Sequence, residues 1–339
     1  MSECFNLEED RVKREIIKRN AKRVLIQIPE GLRRQVFKIV ETVENAGAEA
    51  VVSADPCYGA CDLALEEAKK VNADLIIHYG HTELLHGVGF PVIYIEAEAT
   101  IPVEEVIKKS LSFLKDYHRI GLVTTTQHLN KLPEVKEILL ENGKEVSIGH
   151  SNSRLSPGQV IGCNFRNAVS ISGDVDAFLF VGGGRFHALG VALSTSKPTY
   201  VADPYLNSVY SVDEEARKII RQRFASIVEA RKAENFGVIV SLKTGQLRFN
   251  SAVEIAEMLR DEGKKVTILT LREITPEVLS QFPTIEAYVN TACPRVSLDD
   301  ASRFNVPILT ISETLVLLGK LSWEDLCKGG LFVESSWKP

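Results

Sequence analysis

Four landmarks recur three times in the same order along this chain, and that internal repeat constrains the fold more than any other feature. The first is a short β-branched run: Val24-Leu-Ile-Gln-Ile, Ile120-Gly-Leu-Val-Thr and Phe236-Gly-Val-Ile-Val. A segment with helical apolar spacing follows each run. It ends at a glycine that leads into a second run: Gly47-Ala-Glu-Ala-Val, Gly143-Lys-Glu-Val and Gly263-Lys-Lys-Val. Glycine suits that place because it takes positive φ just past a helix. It follows the start of the first run by 23, 23 and 27 residues. The third runs are Ala73-Asp-Leu-Ile-Ile, Val175-Asp-Ala-Phe-Leu and Ile285-Glu-Ala-Tyr-Val. The fourth each open on proline, at Pro91, Pro198 and Pro307, where a strand's first residue loses no ladder hydrogen bond.

Each repeat therefore reads β-α-β-α-β-α-β, and strands rich in Val, Ile and Leu between helices predict a parallel sheet covered on both faces. The expected fold class is α/β, with three similar parallel-sheet βαβ domains in a pseudo-threefold arrangement. The expected spans are 1–116, 117–232 and 233–339, with joints near Lys115–Arg119 and Ala230–Asn235. One large doubly wound domain without a true repeat is the alternative.

The 339 residues are 45% hydrophobic and 25% charged, enough apolar side chain for sizeable cores. A net charge of −5 argues against broad electrostatic binding to nucleic acid or anionic membrane. No run of 18 apolar residues predicts a membrane span. Residues 1–20 are charged, lack the apolar core of a signal peptide, and read as an amphipathic helix. A cytoplasmic protein is expected, so the six cysteines read as free, catalytic or metal-binding rather than disulfide-bonded.

Ligands of open parallel sheets bind beyond the carboxyl ends of the strands. One cysteine per repeat falls there: Cys61 in Asp55-Pro-Cys-Tyr-Gly-Ala-Cys-Asp62, Cys163 in Pro157-Gly-Gln-Val-Ile-Gly-Cys-Asn-Phe165, and Cys293 in Asn290-Thr-Ala-Cys-Pro-Arg295. Three thiolates are too few for a closed zinc site. They suit a cuboidal iron–sulfur cluster with one open iron at the centre of the three domains, or a catalytic metal. The bland reading makes each a small buried hydrophobe. Cys57 forms C-x3-C with Cys61, the first half of the C-x3-C-x2-C loop of single-loop radical S-adenosylmethionine enzymes, but Ala64 stands at the third position. Cys4 and Cys327 lie in helix-like terminal segments and read as structural or incidental.

Other polar groups fall on the same edges. Gly182, Gly183, Gly184, Arg185 and His187 follow the third run of repeat two. Consecutive glycines expose backbone N–H groups, and Arg185 could clamp a carboxylate, although a tight structural turn explains them equally. His78 and His81 occupy the corresponding place in repeat one and could serve a metal, bind substrate or cap a loop. Lys243 and Gln246 follow the first run of repeat three, Glu30 and Arg33 that of repeat one, and Asp299 and Asp300 come soon after Cys293.

Five segments, DPCYGACD, GQVIGCNF, GGGRFHALG, SLKTGQ and NTACPR, resemble in order the archaeal diphthamide-synthesis family of 2-(3-amino-3-carboxypropyl)histidine synthases. The resemblance covers nearly the whole chain. It implies a cytoplasmic homodimer of three-domain chains. Each chain would hold one 4Fe–4S cluster through Cys61, Cys163 and Cys293, with Cys61 preferred over Cys57 because the family's pattern places the ligand after Tyr-Gly-Ala. It implies that the open iron positions S-adenosylmethionine and that the reduced cluster breaks its Cγ–S bond. The resulting 3-amino-3-carboxypropyl radical would add to a histidine of translation elongation factor 2. Arg185 would then hold the S-adenosylmethionine carboxylate and Lys243 and Gln246 its polar groups, with His81, His187, Arg295 and Asp299 in the pocket.

Two rivals make different predictions. A quinolinate-synthase-like dehydratase would use the open iron as a Lewis acid without consuming S-adenosylmethionine. A redox or cluster-carrier protein would hold the cluster and catalyse nothing.

Overall fold

The computed structural model describes residues 4–151 and 155–332. Three sheets carry the repeats. The first is built from β1 (Arg23–Gln27), β2 (Glu49–Val52), β3 (Leu75–Tyr79) and β4 (Val92–Ile95). The second contains β5 (Arg119–Thr124), β6 (Glu145–Ser147), β7 (Ala177–Val181), β8 (Thr199–Asp203) and β9 (Ser208–Ser211). The third contains β10 (Asn235–Ser241), β11 (Lys265–Leu271), β12 (Ala287–Asn290) and β13 (Ile308–Thr310). Their orders are β2-β1-β3-β4, β6-β5-β7-β8-β9 and β11-β10-β12-β13, so the same 2-1-3-4 arrangement appears three times. Register repeats too, with Arg23 opposite Glu49, Arg119 opposite Glu145 and Asn235 opposite Lys265.

The glycine landmarks do what their spacing predicts. Helices Val36–Glu44, Leu132–Glu141 and Phe249–Asp261 each run into a glycine at positive φ, Gly47 (85°), Gly143 (74°) and Gly263 (80°). An L side chain would be strained there. Both faces of the sheets are buried, as parallel strands require. In the first sheet Val24 and Ile26 pack into one apolar cluster and Leu25 and Ile76 into another. In the third, Val238 and Val240 share a cluster with Val289, while Ile239 packs with Tyr288 and Ile308. Gly121 and Gly237 occupy equivalent places on their strands. A Cβ there would come within 2.5 Å of Phe178 or 2.7 Å of Tyr288, so an aromatic ring on the neighbouring strand takes the space.

The sequence reading is corrected at four points. Repeat one has no helix between β3 and β4, because Gly80, Gly87 and Gly89 all take positive φ in that stretch. The second sheet is not purely parallel: β9 turns back antiparallel on β8 after Asn207 takes φ 47°. The amphipathic N-terminal helix spans only Glu9–Arg19, with Val12 and Ile16 buried. Cys4 lies outside that helix, beside the bridge that pairs Phe5 with Ala99. Residues 1–3 of that expected helix lie outside the described residues. Cys327 does lie on a helix, Trp323–Gly329.

By compactness the chain divides into two units. The first comprises Met1–Val103, Thr124–Pro133 and Lys243–Gly245, and the second comprises Glu104–Val123, Glu134–Leu242 and Gln246–Pro339. Within the second, the long helix Asp213–Ala230 contributes Ile219 and Ile227 to a core shared with strands of the second and third sheets. Among the described residues, no helix is long and apolar enough to cross a membrane.

Candidate functional site

None of the six cysteines is in a disulfide. Each of the three singled out by the repeat sits on a loop beyond the carboxyl end of a strand: Cys61 after β2, Cys163 after β6 and Cys293 after β12. Cys163 is exposed and Cys61 and Cys293 are half-buried, whereas Cys57 is buried.

In the first unit, the loop bearing Cys57 and Cys61 is fastened by Gln27, a buried amide at the end of β1. Its Nε2 donates to the Asp62 carbonyl at 2.8 Å, and its Oε1 accepts the Ala64 N–H at 3.0 Å. The same oxygen lies 3.1 Å from His78 Nδ1. Asp62 forms an ion pair with Lys243 at 2.9 Å, both side chains almost fully buried, and Lys243 Nζ lies 4.2 Å over the Tyr58 ring. Gly245 donates its N–H to the Cys61 carbonyl at 2.8 Å, and a Cβ on it would come within 2.7 Å of Cys61 Cα. The Lys243–Gly245 segment therefore holds the Cys61 loop. Lys243, read from sequence as reaching a ligand, has Asp62 as its counter-ion.

His78 Nε2 stands 3.0 Å from His81 Nδ1. Burial holds His78 at about 3 and His81 at about 4, so both imidazoles are neutral at physiological pH. Burial, with smaller contributions from Asp62 and Cys61, pushes the Cys57 thiol up to about 12. Cys57, His78 and His81 each offer one ligand atom within 4.8 Å of the others.

In the second unit, Cys163 occupies the corner of a tight turn closed by the reciprocal Ile161 and Asn164 backbone bonds, at 3.2 and 3.1 Å. Buried Asn167 steadies the approach to that turn, donating to the Ser156 and Gln159 carbonyls. Cys293 immediately precedes the short helix Pro294–Leu298, and its carbonyl accepts from Asn290 Nδ2 at 2.8 Å. Two residues on is Arg295, a buried guanidinium 3.5 Å from the centre of the Phe186 ring and 5.1 Å from that of Phe332. Its Nη2 donates to the Phe186 carbonyl at 2.8 Å, and its Nε lies 2.6 Å from Asp299 Oδ2. That close approach is an ion pair without hydrogen-bond alignment, since Nε and Nη1 are both buried without a hydrogen-bond acceptor. Burial lowers the Arg295 pKa, while Asp299, Cys293 and Cys163 raise it, so both thiols lie within electrostatic reach. Burial also lifts Asp299 to about 6 against the opposing pull of Arg295.

The glycine turn is partly spent on structure. The Gly184 N–H donates to Asp203 at 3.0 Å, and a Cβ on Gly183 would meet Tyr205 at 2.9 Å. Gly182 takes φ 149°. Arg185 is 64% exposed and paired with Glu215 at 2.9 Å. Arg185 and Glu215 line a groove of about 580 Å³ together with Phe186, Arg295 and Asp299. His187 stacks on Phe180 and meets Phe186 edge-on. Gln246 is buried. Asp300 pairs with Arg303 at 3.4 Å. Sequence reasoning missed Gln27, Asp62 and Phe186. Only Gln27 left a signal, as a lone amide in an apolar strand.

The family model for diphthamide synthesis proteins matches residues 28–327. A 2-(3-amino-3-carboxypropyl)histidine synthase of Pyrococcus horikoshii is 41% identical, over 92% of this chain and 90% of its own length. That of Methanocaldococcus jannaschii is 32% identical, over 93% and 90%. Subunit 1 of the Schizosaccharomyces pombe enzyme is 31% identical, over 99% and 79%. A crystal structure of Dph2 from Pyrococcus horikoshii with a 4Fe-4S cluster superposes with a TM-score of 0.85 at 39% identity, covering 94% of this chain and 92% of that one.

Proposed function

The chain belongs to the diphthamide synthesis protein family, and from that premise we propose that it is a 2-(3-amino-3-carboxypropyl)histidine synthase. Its reaction would be the first step of diphthamide synthesis: transfer of the 3-amino-3-carboxypropyl group of S-adenosylmethionine to a histidine of translation elongation factor 2.

The observation that carries this reading is Arg295. A buried guanidinium paired with Asp299 through Nε keeps Nη1 without an acceptor, and the thiols of Cys163 and Cys293 act on its charge, so the place suits a further anionic group beside two soft donors. A thiolate-ligated iron–sulfur cluster has that character. Soft thiolates suit such a cluster, and the family resemblance makes Cys61, Cys163 and Cys293 the ones that would hold it; each sits on a loop stiffened within its own unit, by Gln27 and Gly245, by Asn167 and by Asn290. A cluster held by these thiols would supply one-electron reduction of S-adenosylmethionine, the chemistry that breaking its Cγ–S bond needs.

The chain's own side chains bind and orient. Arg185, at the mouth of the groove, would exchange Glu215 for the substrate carboxylate, a two-pronged contact that arginine makes well. The resemblance would add Gly182, Gly183, Gly184, His187 and Gln246 to the ligand's surroundings, although Gly183 and Gly184 already serve Tyr205 and Asp203 and His187 packs on Phe180. Lys243 acts through Asp62, setting the Cys61 loop. The Phe186 and Phe332 rings keep water from Arg295, as a radical reaction requires. A homodimer and a cytoplasmic setting complete the reading and rest on the resemblance.

The test is anaerobic. Reconstituted chain is given dithionite, S-adenosylmethionine and elongation factor 2, and the nucleoside product and factor mass are measured. Methylthioadenosine with an aminocarboxypropyl adduct on the factor is expected. 5′-Deoxyadenosine, or no cleavage by chain with a full cluster, would sink the reading. Cys61→Ala, Cys163→Ala and Cys293→Ala should each lose the full cluster, and Cys57→Ala should keep it.

A further inference from the structure

We propose that Cys57, His78 and His81 form a second metal site in the first unit, for a divalent transition ion of the zinc class, separate from the cysteines assigned to the cluster. The inference does not rest on the proposed reaction, because every residue it uses is placed by the fold of repeat one.

Geometry carries it. The Cys57 sulfur and one nitrogen of each histidine lie within 4.8 Å of one another. The facing nitrogens, His78 Nε2 and His81 Nδ1, are 3.0 Å apart. Around a tetrahedral zinc with Zn–N of about 2.0–2.1 Å, two nitrogens stand roughly 3.4 Å apart. A few tenths of an ångström therefore separate this pair from a chelating one.

Gln27 supplies the outer hydrogen bond that such sites use to orient a ligand. Its Nε2 donates to the Asp62 carbonyl, which turns its Oε1 toward both the Ala64 N–H and His78 Nδ1. A carbonyl oxygen only accepts, so His78 carries its proton on Nδ1 and presents the Nε2 lone pair toward His81. His78 is fully buried, and an ion bound there would displace the Cys57 thiol proton, because only the thiolate ligates. One thiol and two imidazoles with no oxygen donor select a borderline ion such as zinc over magnesium or calcium. Three protein ligands leave the fourth position to water.

The site also gives Cys57 a role that the sequence left open. Cys57 is turned inward to the histidines, whereas Cys61, four residues on, is half-buried. An ion at Cys57 would tie the Cys61 loop to β3.

The experiment uses cluster-loaded chain incubated with zinc chloride, desalted, and analysed for zinc and iron by mass spectrometry and for zinc coordination by X-ray absorption. About one zinc per chain, bound by one sulfur and two imidazole nitrogens, is expected. Cys57→Ser and His81→Asn should each cut retained zinc by roughly tenfold or more with iron unchanged. A three-sulfur zinc environment would overturn the proposal by placing the ion on the cluster cysteines. So would zinc retention unaffected by both substitutions, or a folded wild-type chain that keeps iron and no zinc.

Discussion

Asp176 binds Arg119 at both backbone and side chain: Oδ2 accepts the Arg119 backbone N–H at 2.8 Å, and Oδ1 accepts from its guanidinium Nη2 at 2.7 Å and Nε at 3.1 Å. The equivalent acids of the other repeats do the backbone part of this. Asp74 accepts the Lys22 and Arg23 N–H groups, and Glu286 those of Glu234 and Asn235. One carboxylate at the start of the third strand thus closes the entry to the first strand in every repeat.

The first prediction concerns acid. The Arg119 side-chain and backbone bonds hold the Asp176 carboxyl at about 2, below its usual 3.8. The folded chain favours the ionised form, so this contribution is complete above pH 3.8 and disappears as pH falls through about 2. Asp176→Asn should lower the melting temperature at pH 6 and narrow its gap from wild type as pH approaches 2. A gap that stays constant would show that the charge contributes nothing.

Arg223 and Glu313 form a two-pronged ion pair, both bonds 2.7 Å, with each side chain 1% exposed. Glu313 also closes the capping box on Thr310. Arg223→Met leaves a buried carboxylate alone and should cost about 3–5 kcal/mol in urea unfolding. Adding Glu313→Gln, which removes the charge but can keep the cap, should recover part of that loss.

Gly245→Ala pushes a methyl group onto the Cys61 backbone. The chain should still fold, since the clash lies at a loop, while iron per chain after reconstitution falls well below the wild-type value. Unchanged iron would show that the loop shifts without disturbing the thiol.

Arg295→Gln removes a positive charge near Cys163 and Cys293. Nearby positive charge favours the reduced, more negative cluster. Redox titration followed by electron paramagnetic resonance should show the midpoint falling by tens of millivolts with iron content retained.

The threefold repeat was legible because strand runs, helix-ending glycines and strand-opening prolines are local signals with fixed spacing. The missing helix of repeat one was legible too, in Gly80, Gly87 and Gly89, but the analogy with the other repeats overrode them. The cysteine loops could be placed because ligands gather at strand ends. What could not be read were the long-range side-chain partners. Lys243 meets Asp62 across 181 positions and Arg223 meets Glu313 across 90, and neither separation has a periodic trace. Arg185 was singled out for its glycine neighbours, yet its bond to Glu215 depends on where the helix Asp213–Ala230 lies.

The Gly245-to-Cys61 bond has a consequence for how the protein is made. On the ribosome the first repeat emerges whole, with its strands and helices able to pair, long before residue 245 is translated. Until then the Cys61 carbonyl lacks that donor and Asp62 lacks its lysine. The thiol loop of a nascent first repeat is thus left without both contacts until the whole of the third repeat's first strand and the turn after it have been synthesised. A chain truncated after the second repeat would fold its first sheet and still fail to hold Cys61 in place.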